Sequence, residues 1–204
     1  MTSISIIGSG NMATAIGTRA VEEGHTVEFL SREAAKAQAL ADQIGQGTTV
    51  GTYGSRPAGD IVILAVLAGA AVDVVTHFGE ALSGKILVDI TNPFNADGSG
   101  LDTTAGNSVA EQIAAAAPDS AEVVKAFNTL FSSVLKQGNV DGFLAGDSVD
   151  AKAQVAAFME SLNLRPRDAG ALSMAHALEW AGLLLVGVAR NGAGFDLALA
   201  TQVA

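Results

Sequence analysis

Cysteine is absent from this chain. Its absence excludes a disulfide framework, a thiolate nucleophile and a thiolate metal site. Histidine is scarce, with 3 residues that show no ligand spacing, so no metal site is expected. Charge is thin as well. Only 16% of residues are charged, with 11 Lys and Arg against 21 Asp and Glu, for a net charge of −10 at pH 7. Such a surface repels phosphate backbones and anionic lipid, so neither nucleic acid nor a membrane surface is an expected partner. Long apolar runs are missing: the longest, Trp180 to Ala189, falls far short of a transmembrane span. There is no P-loop, nucleophile elbow, internal repeat or low-complexity segment. The first residues lead straight into a β-branched run without a signal-peptide pattern, so a cytoplasmic location is the expectation.

What is present is 49% hydrophobic over 204 residues. That suffices for a sizeable core in one domain, or one domain with a small extension. The most informative stretch is the N-terminal one. Ile4-Ser5-Ile6-Ile7 reads as a strand. It breaks into Gly8-Ser9-Gly10-Asn11-Met12-Ala13, a G-x-G-x-x-A loop, and a small-residue helix follows to Glu23. After the Gly24-His25 turn comes a second strand, Val27 to Leu30. This is the dinucleotide-binding unit. Gly8 permits the tight turn, Gly10 lets the backbone approach a pyrophosphate, and Ala13 allows close helix–strand packing. The pyrophosphate sits on free N–H groups at the positive end of the helix.

The end of the second strand says which dinucleotide. An NAD site places an acid there for the ribose 2′-hydroxyl. This chain has Ser31-Arg32, with Lys36 one helical turn on. A hydroxyl and two cations suit the 2′-phosphate of NADP.

Alternation continues along the chain. Helices are expected over Glu33 to Ile44, Val72 to Leu82, Ser108 to Ala116, Val149 to Leu162 and Ser173 to Arg190. Strands are expected at Thr48 to Val50, Asp60 to Val66, Ile86 to Ile90, Val123 to Phe127, Gly142 to Ala145 and Arg165 to Asp168. Ser108 and Glu111 have capping-box spacing, and residues 95–107 form the longest loop. The fold class is α/β, a Rossmann-type doubly wound, mostly parallel sheet with a short C-terminal helical extension. Residues 1–145 read as the NADP-binding domain. Residues 146–204 read as an extension that completes the substrate cleft and makes a dimer contact.

The chain resembles the NADP oxidoreductase, coenzyme F420-dependent family. The resemblance is carried by Ile6-Ile7-Gly8-Ser9-Gly10-Asn11-Met12, Ser31-Arg32 with Lys36, Asp60 to Val66, Val88-Asp89-Ile90-Thr91-Asn92-Pro93, and Val123-Val124-Lys125-Ala126-Phe127-Asn128-Thr129. Arg165 to Leu172, followed by Leu178-Glu179, is similar to the family's C-terminal signature. It implies pyrophosphate binding by Gly8 to Met12 and 2′-phosphate binding by Ser31, Arg32 and Lys36. Val66, Asn92, Pro93 and Ala126 would line the nicotinamide end. It further implies hydride exchange between NADPH and a deazaflavin, and a homodimer through the C-terminal part. The chain departs from some members in having Asn128 where they carry a histidine, and in offering few cations to the coenzyme's acidic tail.

Hydride transfer to a deazaflavin asks only that two rings be aligned. A carbonyl or imine, the alternative acceptor, also needs a proton donor. His176 and Asn128 are the candidate side chains. His176 is read more readily as a packed helix histidine. His25 precedes a strand, at the wrong end of the sheet, and His77 belongs to a crossover helix. Tyr53 lies in a loop, and Asp168 is a site group or a cap for the last helix. This sparse acid–base set leaves a third reading, a non-catalytic NADP(H) sensor.

Overall fold

A computed structural model describes residues 2–103 and 107–202. Eight strands are present: β1 (Ser3–Ile7), β2 (Thr26–Leu30), β3 (Thr48–Val50), β4 (Ile61–Leu64), β5 (Ile86–Asp89), β6 (Glu122–Ala126), β7 (Asp141–Gly146) and β8 (Arg165–Asp168). They form one sheet in the order β3-β2-β1-β4-β5-β6-β7-β8. The helices are α1 (Asn11–Glu22), α2 (Ala34–Ile44), α3 (Ala68–Phe78), α4 (Val109–Ala116), α5 (Ser132–Gln137), α6 (Val149–Ser161) and α7 (Ala175–Val188).

Alternate residues of the central strands feed two cores. Ile4, Ile6, Phe29, Ile61 and Ile63 pack on one face with Ile16, Leu40 and Phe158 from α1, α2 and α6. Ile7, Leu30, Val62 and Leu64 pack on the other with Val75 and Ile113 from α3 and α4. The continuous apolar run of β4 is the mark of a strand covered on both sides. The Rossmann-type α/β fold with its C-terminal helix is therefore as expected. So is the capping box: the Ser108 hydroxyl accepts from Glu111 N–H, and the Glu111 carboxylate accepts from Ser108 N–H.

The structure differs from the sequence reading in three places. α3 begins at Ala68, ahead of Val72, because Ala68-Gly69-Ala70 carries no apolar period, and its expected end is a tight turn at Gly79–Leu82. α5 has only six residues, too few for a period to show. Most consequentially, β7 runs antiparallel to β6, and β8 follows β7. Asp168, the end of β8, is level with Ala126 at the end of β6, but the chain leaves it heading toward the opposite end of the sheet from the ends of β1 and β4. Of the expected long loop, Phe94 and Leu101 form a bridge, and residues 104–106 lie outside the described residues.

The last helical stretch, Leu172–Ala193, spans 22 residues and contains an 18-residue window of mean hydropathy 1.5. It encloses the short apolar run read from the sequence and is long and apolar enough to cross a membrane. Its buried side packs on the sheet through Leu178, Glu179, Gly182, Leu185 and Val186.

Beyond it, the tail returns to the sheet edge. The Phe195 ring meets Phe131 edge-on, and Thr201 donates through N–H and hydroxyl to Asp141 Oδ2, at 2.6 and 2.7 Å. Arg165 and Arg167 reach Asp141 Oδ1 at 2.7 and 3.2 Å. Burial alone would raise the Asp141 carboxyl. The hydrogen bonds from Thr201, Arg165 and Arg167 outweigh it and hold the group well below the usual carboxylate range. A depressed carboxyl stabilises the fold above its unfolded pKa, and this contribution fades as pH falls toward the folded value. Asp141→Asn should therefore cost about 1.5–3 kcal/mol at neutral pH. Chemical denaturation from pH 7 down to pH 3 should show a smaller loss of stability in the variant than in the parent.

Candidate functional site

The winding of the sheet reverses between β1 and β4, the place where open α/β sheets bind ligands. A cleft of about 580 Å³ opens there. The Gly8-to-Met12 loop, the Ser31-to-Lys36 segment, the Ala65-to-Ala68 loop and Ile90 to Asn92 line it. Gly8 has φ +130°, and a β-carbon on it would lie 2.1 Å from the Ala65 carbonyl oxygen. At Gly10 a β-carbon would meet nothing within 4 Å, so that position opens onto the cleft. Gly10 also begins α1, which has no side-chain cap and no acid in its first turn. The N–H groups at that helix end are thus free for an anion. Leu67, 83% exposed, offers the cleft an apolar surface that a planar ring can cover.

At the other end of the cleft, Arg32 makes no hydrogen bond or ion pair among the described residues. Lys36 is held at 2.6 Å by Glu33, and both are more than half exposed. Such a pair is worth little, so Lys36 can be drawn to a phosphate. Glu33 also lines the cleft, an acid beside the position expected for the 2′-phosphate. Ser31 accepts from Glu33 N–H at 3.3 Å, which shapes the entry to α2.

A second cavity of about 230 Å³ adjoins the cleft and shares Met12, Asn92 and Phe94 with it. Asn128, Thr129 and Phe131 line it from one side, and Gly182, Leu185 and Val186 of α7 from the other. Its wall is an interlocked amide pair. Asn92 Nδ2 donates to the Asn128 carbonyl at 2.7 Å, and Asn128 Nδ2 donates to Asn92 Oδ1 at 2.9 Å and to the Leu178 carbonyl at 2.8 Å. Phe127, buried with φ +59°, turns the chain into this position. A bulky residue pays strain for that conformation, as residues at functional sites often do. Asn128 Oδ1 and Thr129 Oγ1 are buried and have no partner.

Behind the wall lies a cluster that the sequence reading missed as chemistry. Lys125 Nζ, fully buried, donates to Asp89 Oδ2 at 2.8 Å, to the Thr91 carbonyl at 2.6 Å and to Glu179 Oε1 at 3.1 Å. Burial raises the Glu179 carboxyl above its usual range, against the pull of Lys125 and of the Val109 N–H. The available signal was a lysine inside the apolar strand VVKAF and a glutamate inside an apolar helix.

Other expected residues lie elsewhere. Val66 lines the cleft, but Pro93 and Ala126 are buried and line neither cavity, because Ala126 points into the core on one face of the sheet. His176 accepts from Trp180 Nε1 at 3.1 Å and lines neither cavity. Because β8 runs the other way, α7 starts at the far edge, and its middle rather than its start reaches the site. Asp168 lies on the outermost strand and lines neither cavity; it is bound to Lys152 and to Gly170 N–H. His25 is buried between Thr2 N–H and Ser161, and burial lowers its pKa. His77 stacks on Tyr53 at 4.9 Å.

Comparison with known proteins agrees with this geometry. Metalloreductase STEAP3 of Rattus norvegicus is 31% identical over 180 residues, which are 86% of this chain and 35% of that protein. The chain thus spans about a third of the length of that relative. A structure from Arthrobacter sp. FB24, described as an F420-dependent NADP reductase, superposes with a TM-score of 0.87 at 22% identity, covering 100% of both chains. A hypothetical protein from Sinorhizobium meliloti does so with a TM-score of 0.81 at 26% identity, covering 99% of this chain and 97% of the other. Residues 3–93, which build most of the cleft, match the family model described as NADP oxidoreductase coenzyme F420-dependent. Over these residues the chain is similar to that family.

Proposed function

We propose that the protein is an NADP-dependent oxidoreductase that exchanges a hydride between NADPH in the cleft and a deazaflavin ring in the second cavity. The cleft fits the dinucleotide: it combines an open glycine turn, an uncapped helix end and the unpaired Arg32. When bound, NADPH supplies the hydride. The protein's own work is positional. The α1 N–H groups hold the pyrophosphate, and Ser31, Arg32 and Lys36 hold the 2′-phosphate. Val66, Asn92 and Met12 face the nicotinamide end.

The observation that carries the choice of acceptor is the lining of the second cavity, which contains no ionisable side chain. A carbonyl or imine needs a donated proton as the hydride arrives. A deazaflavin takes the hydride on a ring carbon and spreads the charge over its pyrimidine carbonyls, with water supplying any later proton. The proposal includes a cytoplasmic location and a homodimer. Trp180, Leu184 and Val188 form an exposed apolar stripe at four-residue spacing along α7, and a second copy would cover it.

Arg32→Ala should weaken NADPH binding at least tenfold by titration calorimetry and leave NADH nearly unchanged, since a charge-assisted hydrogen bond is worth about 1.5–3 kcal/mol. Glu33→Gln should tighten NADPH a few-fold. Equal loss of NADPH and NADH in Arg32→Ala would remove the 2′-phosphate assignment. Purified protein should oxidise NADPH with the deazaflavin, and His176→Ala should keep at least about half the turnover number. Turnover of only an imine or ketone, with a loss of roughly 10²–10⁴-fold in His176→Ala, would shift the assignment to a carbonyl or imine reductase. NADPH binding without turnover of any acceptor would mean a sensor. Leu184→Glu should convert the dimer to monomer in sedimentation velocity, and a monomeric parent protein would end the dimer proposal.

A further inference from the structure

Asp89, Lys125 and Glu179 meet with no exposed surface at all. They come from β5, β6 and α7. Removing charges from water costs several kcal/mol per ion, and packed apolar side chains in their place are often as stable or more so. Stability alone therefore gives little reason for the cluster. What it grips is one residue. Asp89 Oδ1 accepts the Thr91 N–H at 2.8 Å, and Lys125 Nζ donates to the Thr91 carbonyl at 2.6 Å. Thr91 lies past the end of β5, where the strand pairing has stopped. Glu179 Oε1 holds Lys125 from the α7 side and is itself fixed by the Val109 N–H at 3.0 Å. The residue after Thr91 is Asn92, which borders both cavities and is locked to Asn128.

We propose that the Asp89–Lys125–Glu179 cluster is a positioning clamp for hydride transfer: it fixes both polar backbone atoms of Thr91 and thereby sets the Asn92–Asn128 wall where the nicotinamide and acceptor rings meet. The inference rests on the proposed function in assigning the nicotinamide to that end of the cleft. None of the three residues lines either cavity, so they act through Thr91 and touch no ligand. Displacement of the wall by a fraction of an ångström is enough to spoil ring alignment, because rates of positioned reactions fall steeply with misplacement.

The test compares Glu179→Ala with Glu179→Gln, which keeps an oxygen for Lys125 and Val109. Two probes separate the ends of the cleft. Nicotinamide fluorescence of bound NADPH reports the ring end, and affinity for 2′,5′-ADP reports the phosphate end alone. Glu179→Ala should lose at least about half of the fluorescence enhancement and roughly tenfold or more in turnover number. Its affinity for 2′,5′-ADP should stay within about threefold of the parent, and Glu179→Gln should recover both signals. Parent-like fluorescence and turnover in Glu179→Ala overturn the clamp, as does a Glu179→Gln variant that recovers nothing. If Glu179→Ala fails to fold, the triple variant Asp89→Leu, Lys125→Met, Glu179→Leu removes all the buried charge and keeps the volume. It should fold and show the same selective loss, and parent-like signals in it overturn the clamp. The fluorescence arm does not depend on the acceptor. A parent protein that binds neither NADPH nor 2′,5′-ADP instead rejects the cofactor reading, and the clamp with it.

Discussion

β1 and β4 end side by side, and the segments beyond them leave for opposite faces of the sheet. Both carry the pairing one residue further: Gly8 N–H reaches the Leu30 carbonyl at 2.8 Å, and Ala65 N–H reaches the Ile7 carbonyl at 2.9 Å. At that point the Ala65 carbonyl lies so close to Gly8 that any side chain there would push the strand ends apart. The cleft, the start of α1 and the start of α3 all hang from this contact. A residue other than glycine at position 8 would therefore damage the sheet and the cofactor site together, whereas Gly10 faces open space and serves only the ligand.

The second half of the site is built differently. It depends on α7 being drawn down on the ends of β5 and β6. Two kinds of contact do this: apolar packing of Leu178, Leu185 and Val186, and polar contacts from Asn128 and Lys125. In a chain so poor in charge, three ionisable groups are spent in the interior at one spot. That spot is the boundary between the nucleotide-binding half and the C-terminal part.

Much of the fold was legible because it rests on local pattern. β3 and β8 have the bounds expected of them, β3 from its β-branched run, and the capping box at Ser108 is a two-residue signature that local chemistry alone forms. The glycine loop was legible for the same reason. What escaped depends on tertiary pairing. Nothing local to Asp141–Gly146 says that it runs against β6, and so nothing local says that the chain leaves β8 away from the cleft and carries His176 with it. Lys125 and Glu179 escaped because each looks like an isolated charge until the strands and α7 bring them together. Glu33 is legible as an acid three residues past the strand end, but only the fold shows that it lines the cleft.

The antiparallel β7 also affects how molecules approach the site. α1 and α3 both point uncapped N-terminal ends at the cleft, with no acid in either first turn. α7 arrives from below, so its C-terminal end, with the opposite partial charge, lies on the side of the second cavity. The two mouths of the site therefore differ in sign before any side chain is touched. On a protein with a net charge of −10, a polyanion is drawn to one mouth only, and the field orients the dinucleotide during encounter rather than after docking.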